Sequence, residues 1–160
     1  MNNLIGNFIG FEGRINRQKW WMGVIILIVV GIVLYLILSA IMGTGFVMDA
    51  SVATDPGAIA AYLQKAAWVG LIGGVLLAYP YTALTVKRRH DRNNNGYDAM
   101  ALTGLQILYN VLAALGLALG PVSMVLGLIV LVLAIWILVQ AGFLKGTAGP
   151  NNYGPDPLGG

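Results

Sequence analysis

WWMGVIILIVVGIVLYLILSAIM, residues Trp20–Met42, holds no charged side chain, and its reading decides the fold. A helix rises about 1.5 Å per residue, so the stretch is long enough to cross the roughly 30 Å hydrocarbon core of a bilayer. Trp20 and Trp21 open it, and an amphipathic ring suits the headgroup level. The apolar region of a cleaved signal peptide is about 7–15 residues, shorter than this one, so a retained helix is expected.

The rest of the composition agrees. Hydrophobic residues make up 58% and charged residues 9% of the 160 positions, and the mean hydropathy is +0.80. Soluble domains carry roughly 25% charged residues, because their whole surface meets water. So little charge excludes both an ordinary soluble domain and a disordered chain. With no cysteine, disulfides, thiolate nucleophiles and Cys-ligated metal centres are excluded, and one histidine, His90, excludes a multi-histidine site. The net charge of +3 does not point to nucleic acid, because the basic residues sit in short runs beside apolar spans.

Outward from the first span, Gly43 to Thr54 is a polar connection carrying Asp49. Asp55-Pro56 reads as a helix start, with aspartate as N-cap and proline at the first helical position. The expected organisation is a cytoplasmic interfacial segment over 1–19, a first span at 20–42, and a periplasmic loop with an outer helix extension at 43–65. A second span at 66–86 and a cytoplasmic basic loop at 87–98 follow. Then come a third span at 99–119, a hairpin at 120–121, a fourth span at 122–144 and a cytoplasmic tail at 145–160. Pro80 is expected to kink the second helix, because it lacks an N–H and its ring clashes with the preceding turn. Thr82 and Thr85 are candidates to re-satisfy the backbone there. The tail, rich in Gly, Pro and Asn, is not expected to form a packed element.

Eight of the nine Lys and Arg residues fall on one side of this layout, and Lys65 alone on the other. The positive-inside rule places the eight in the cytoplasm, giving an all-α membrane protein: a four-transmembrane-helix bundle with both termini inside. Gly70 with Gly74, and Gly116 with Gly120, have GxxxG spacing, which lets helix backbones approach closely. Packing within the chain is the favoured reading, and homodimerisation the alternative.

Three motifs carry a resemblance. Phe11-Glu12-Gly13-Arg14-Ile15-Asn16-Arg17-Gln18-Lys19-Trp20-Trp21 resembles an F-x-G-R-x-x-R-x-x-[FY]-W opening. Arg88-Arg89-His90-Asp91 resembles a central R-x-H-D element, and Gly149 to Pro157 a closing G-x-N-x-[YF]-G-x-[DN]-P. Together they are similar to the domain of unknown function 805 family, which takes in small inner-membrane proteins of the YhaH and YhaI type. The resemblance implies a small multi-pass protein of a bacterial inner membrane and supplies no activity. Where the family continues through a glycine to Gly-Trp, this chain reads Arg92-Asn93-Asn94-Asn95-Gly96-Tyr97.

On the expected topology all three motifs meet at the cytoplasmic face. Asp91 is the carboxylate placed among the basic residues, so Arg14 or Arg17 is expected to pair with it. Arg88, Arg89 and His90 complete the cluster, and Asn151 and Tyr153 fold back over it. The same basic residues are candidates for anionic lipid headgroups, each contributing about 1 kcal/mol near a membrane surface; the plainer reading is that they only set topology. Asp91, Asn93, Asn95 and Gly96 copy half of a calcium loop, but position 12 is Leu102 and three arginines stand nearby, so a turn is expected. His90 beside Asp91 lacks a nucleophile or metal partner. No catalytic, metal or cofactor site is therefore expected. Within the spans, Gln106 and Asn110 share a helical face and are expected to meet Gln140 across helices as polar glue; a conduction path in an oligomer is the alternative. The function these readings favour is a non-enzymatic scaffold or accessory protein, with membrane lipids and a protein partner or second copy as partners. A channel or small-solute transporter is second.

Overall fold

The computed structural model describes residues 4–45 and 52–159; Asp49 and half of the expected first connection lie outside them. Four helices follow in order: α1 (Arg17–Met42), α2 (Pro56–His90), α3 (Tyr97–Ala114) and α4 (Pro121–Ile137), the last continued by a π-helical turn over Leu138–Phe143. Each boundary has a local cause. Asn16 caps α1 by accepting from Lys19 N at 2.9 Å, and Gly43 ends it in the left-handed conformation, φ 65°. Asp55 caps α2 through Gly57 N at 2.9 Å, with Pro56 in the first turn. α2 runs unbroken through Pro80, and Thr82 Oγ1 donates to Ala78 O at 2.7 Å and meets Thr103 Oγ1 of α3 at 2.8 Å.

Among the described residues, three helical segments are long and apolar enough to cross a membrane: Arg17–Met42, Pro56–His90 and Pro121–Phe143. α3 differs from expectation. It has 18 residues and stops at Ala114 rather than near 119, because Gly116, at φ 79°, turns the chain toward Pro121. Gly116 and Gly120 therefore lie in a connection and form no helix-packing stripe. The basic segment expected as a loop from residue 87 is helical through His90, since its cations find carbonyl and carboxylate partners in place. At the other end of the fourth segment, the last turn widens to π geometry.

α2 is the hub, packed against α1 on one side and α3 on the other, with α4 on α3. The widened end of α4 returns to touch α1 and α2. The core sits mainly at the end where α1 starts and α2 and α4 finish. Ile15, Trp20, Leu84 and Ala141 form one cluster; Val86, Ala99, Leu102, Leu126, Val130 and Ile137 form another. Burial is continuous from Thr82 to Asp91, four charged residues and a histidine included. Elsewhere the pattern is inverted relative to a water-soluble protein, with Ile25, Ile28, Val29, Ile32, Val33 and Ile37 of α1 all outward and exposed. Soluble monomers do not expose contiguous apolar faces of this extent.

Ahead of α1, a 3-10 turn (Leu4–Asn7) and the following residues lie back along α2. Lys87 Nζ donates to Gly6 O and to Ile9 O, and Gly10 N donates to the Tyr79 hydroxyl at 3.1 Å. Phe11 meets Tyr79 edge-on at 5.6 Å.

The α1–α2 crossing depends on Gly23. A Cβ there would stand 2.6 Å from Leu84 Cδ1, and Leu84 is fully buried. Gly23→Val should lower stability by about 1–3 kcal/mol through overpacking, measured by reversible unfolding in mild detergent. Leu84→Ala in the same chain should recover part of the loss. An unchanged single variant would mean that the two helices do not cross here.

Candidate functional site

The segment between the 3-10 turn and α1 is non-helical, with Gly10 and Gly13 at φ 69° and 84°. Ile15 N reaches Lys87 O at 3.4 Å, which presents Arg14 to the end of α2. Its side chain is 1% exposed. Nε and Nη2 of Arg14 both donate to Asp91 Oδ1, at 3.2 and 3.0 Å. Nη1 donates to Gly149 O at 2.8 Å and Gly154 O at 3.1 Å, and Nη2 to Thr147 O at 2.8 Å. A guanidinium has five N–H donors in a rigid plane; here the fork binds α2 and the tail at once.

The other oxygen of Asp91 takes Arg88 Nη1. Arg88, wholly buried, also donates through Nε to Ala141 O at 2.8 Å and through Nη2 to Leu144 O. The backbone carbonyl of Asp91 accepts from Thr147 N at 2.8 Å and Thr147 Oγ1 at 3.0 Å. One residue thus joins two arginines by its side chain and the tail by its backbone.

Arg88 belongs to a wider pattern. A helix ends with carbonyls that have no intrahelical partner and a partial negative charge. At the end of α4 these are met by donors from elsewhere. Gln140 O accepts from Arg92 Nη1 at 3.3 Å, Gly142 O from Trp21 Nε1 at 3.0 Å, and Phe143 O from Arg17 Nη1 at 2.9 Å. Beside them, Arg89 Nη2 pairs with Asp98 Oδ2 at 2.7 Å and Arg89 Nη1 donates to Gln140 Oε1 at 2.9 Å, while Trp136 Nε1 donates to Asp98 Oδ2 at 3.1 Å. Arg92 also reaches Gln140 Oε1.

The tail forms no helix, yet it is packed. Asn151 N and Gly154 O close a turn at 3.1 Å. Asn151 Nδ2 donates to His90 O at 2.9 Å, and the Tyr153 ring stacks on the His90 ring at 3.8 Å and 8°. Since a carbonyl only accepts, the 3.2 Å approach of His90 Nδ1 to Gly13 O places a proton on Nδ1. Asp156 accepts from Leu158 N and Gly149 N, and these amides, with the charge of Arg14, hold its carboxyl below the usual aspartate range. Beyond the fold-back expected of Asn151 and Tyr153, packing of the tail was not expected, because it is made largely by polar backbone atoms rather than apolar side chains.

Arg14, Arg88, His90, Asp91, Asn151 and Tyr153 therefore come together. Arg17 stands at the edge, on Phe143 O and not on Asp91, and Arg89 turns toward α3 and α4. Gln140 does not meet Gln106 and Asn110. It lies at the arginine-rich end, whereas Gln106 is about 14 Å along α3 from Tyr97 and donates to Asn110 Oδ1 at 3.2 Å. The calcium-like oxygens are engaged within the chain instead: Asp91 by Arg14 and Arg88, Asn93 Oδ1 by Asn152 N at 3.3 Å, and Asn95 Oδ1 by Tyr97 N at 3.1 Å. Among the described residues, no three His, Cys, Asp or Glu side chains gather as metal ligands would. Thr147, Gly146 and Trp136 were not singled out from the sequence. Asp98 in the first turn of α3 offered a signal; Gly146 and Thr147 offered none.

Three helical segments of membrane-crossing length, apolar side chains outward and charged ones gathered inside at one end, make this a helical membrane protein. The chain belongs to the family described as Protein of unknown function (DUF805), whose family model matches residues 8–155, and all three sequence motifs fall within or at the edge of that match. No curated protein and no solved structure matches the chain.

A Cβ on Gly146 would stand 2.1 Å from Asp91 Oδ2, which Arg88 holds in place. Gly146→Ala should therefore undock the tail as effectively as Arg14→Lys, which keeps the charge and loses the fork. Both should raise hydrogen exchange at the Thr147 amide at least tenfold while leaving the middle of α1 unchanged. Wild-type protection in either variant would contradict the geometry.

Proposed function

We propose that the chain crosses a bacterial inner membrane four times, with both termini and the arginine clasp in the cytoplasm, and acts there as a non-enzymatic scaffold or accessory subunit. The reading rests on one observation: the Arg14 guanidinium ties the N-terminal segment, the end of α2 and the tail into a single unit. Among the described residues, no buried side-chain nitrogen or oxygen lacks a partner, which suits a lock more than a site that must exchange protons. Outside the lock, Tyr97 is 68% exposed and stands beside the exposed Asn95. An exposed aromatic on a rigid polar face is the kind of anchor that protein interfaces use.

With no native cysteine, single cysteines report topology cleanly. A cysteine at Ala148 should resist an impermeant maleimide in intact cells, and one at Lys65 should react. A photo-crosslinker at Tyr97 should trap one partner at fixed stoichiometry in native membranes, and Arg14→Gln should cut the yield at least fivefold. Trapping that ignores the Arg14 change would overturn the scaffold reading.

A second reading is an oligomeric channel or small-solute transporter. Gln106 is exposed on α3 with Asn110 as its polar contact, beside a cavity of about 260 Å³ reached by Gly74, Tyr81 and Thr103. Liposome flux abolished by Gln106→Leu would favour it over the scaffold.

A further inference from the structure

Between the start of α1, the Arg88–Asp91 pair and the tail lies a cleft of about 500 Å³, bordered by Asn16, Arg17, Gln18, Lys145, Thr147 and Leu158 among others. Its charges do not cancel. Asp91 is divided between Arg14 and Arg88, and Asp156 is turned to the amides of Leu158 and Gly149. Arg17 and Lys145 are both exposed, and neither belongs to an ion pair among the described residues. Arg17 uses Nη1 on Phe143 O, leaving Nη2 and Nε to donate. Lys145 makes no hydrogen bond among the described residues. Two unmatched cations at the edge of a recess fit a phosphate group, which accepts from a guanidinium fork and an ammonium together.

The surroundings indicate what carries that phosphate. Phe143, whose carbonyl holds Arg17, is 59% exposed and meets Trp21 edge-on at 6.1 Å. Leu158, on the rim, is 77% exposed. Exposed aromatic and aliphatic side chains beside unpaired cations match the level at which lipid headgroups give way to acyl chains. A soluble phosphate would meet only the cations; a phospholipid would cover the apolar rim as well.

We infer that this cleft binds the phosphate of an anionic phospholipid, held by Arg17 and Lys145, with acyl chains running past Phe143. The inference rests on the reading of this end as the cytoplasmic face and gives that face a ligand.

Native mass spectrometry of the full chain in detergent tests it, titrating phosphatidylglycerol against phosphatidylcholine, with orthophosphate as competitor. Wild type should prefer phosphatidylglycerol at least tenfold. R17Q/K145Q should lose roughly tenfold in that affinity, each charge contributing several-fold, whereas Lys65→Gln should change nothing. Lys145→Gln alone, which removes no hydrogen bond or ion pair among the described residues, should weaken binding several-fold. Displacement by millimolar orthophosphate would assign the cleft to a soluble phosphate-bearing anion; resistance would assign it to lipid. Equal retention of the two lipids, or binding by both variants within twofold of wild type, overturns the inference. Thr147 amide protection, followed in the same samples, separates loss of the clasp from loss of the cleft. Maleimide labelling of a Lys145→Cys chain from outside intact cells would instead break the topological reading, leaving the binding result to stand alone.

Discussion

A buried carboxylate shared by two guanidiniums is the constraint from which the rest of this structure follows. Asp91 and both of its arginines have side chains at most 5% exposed. Removing such charges from water is unfavourable by several kcal/mol per ion, and attraction offsets this only when the geometry is good and every remaining donor is used. Here every nitrogen of both guanidiniums has an acceptor, and backbone carbonyls supply those that Asp91 does not. Arg14 spends its surplus donors on the tail, and Arg88 spends its own on the end of α4. Half of this network would leave orphaned buried charge, so the tail, the end of α2 and the end of α4 must order together.

Lipid explains why such a lock is useful. Within hydrocarbon, helices gain little by burying apolar surface, since the lipid tails are as apolar as leucine. α1 accordingly lays most of its face outward, and it approaches α2 closely where Gly23 admits Leu84 and Gly31 faces Leu77. Directional bonds can define the assembly where the helices end. Arg17, Arg88 and Arg92 sit where the end of α4 presents unpaired carbonyls and cap it from other segments. The π-helical turn aids this, because Ala141, Gly142, Phe143 and Leu144 each offer their carbonyl to a donor from another segment.

Much of this could be read from the sequence. The uncharged run from Trp20 to Met42 needed only length and composition, and Asp55-Pro56 announced the start of α2 by cap chemistry alone. The nearness of Arg14, Asp91, Asn151 and Tyr153 followed from putting the basic segments on one side. The choice between Arg14 and Arg17 did not, since residues three apart share a face only on a helix and the segment before Asn16 is not helical. The end of α3 was misjudged because hydropathy continues through Leu115, Leu117 and Leu119 while the left-handed Gly116 stops the helix. Gln140 was paired with the wrong helix level, since a polar side chain near a helix end carries no mark of its partners. Gly146 could not have been found at all: its requirement comes from a carboxylate brought over it by residues 55 positions away in the chain.

The account stands on the coupling between Arg14 and Asp91, and a double-mutant cycle measures it directly. Unfolding free energies in mild detergent would be compared for wild type, Arg14→Gln, Asp91→Asn and the double variant. The two changes should be strongly non-additive, with an interaction of about 2 kcal/mol, as for residues sharing a buried network. Effects that add to within about 0.5 kcal/mol, the behaviour of independent sites, would show that the guanidinium and the carboxylate do not hold these segments together.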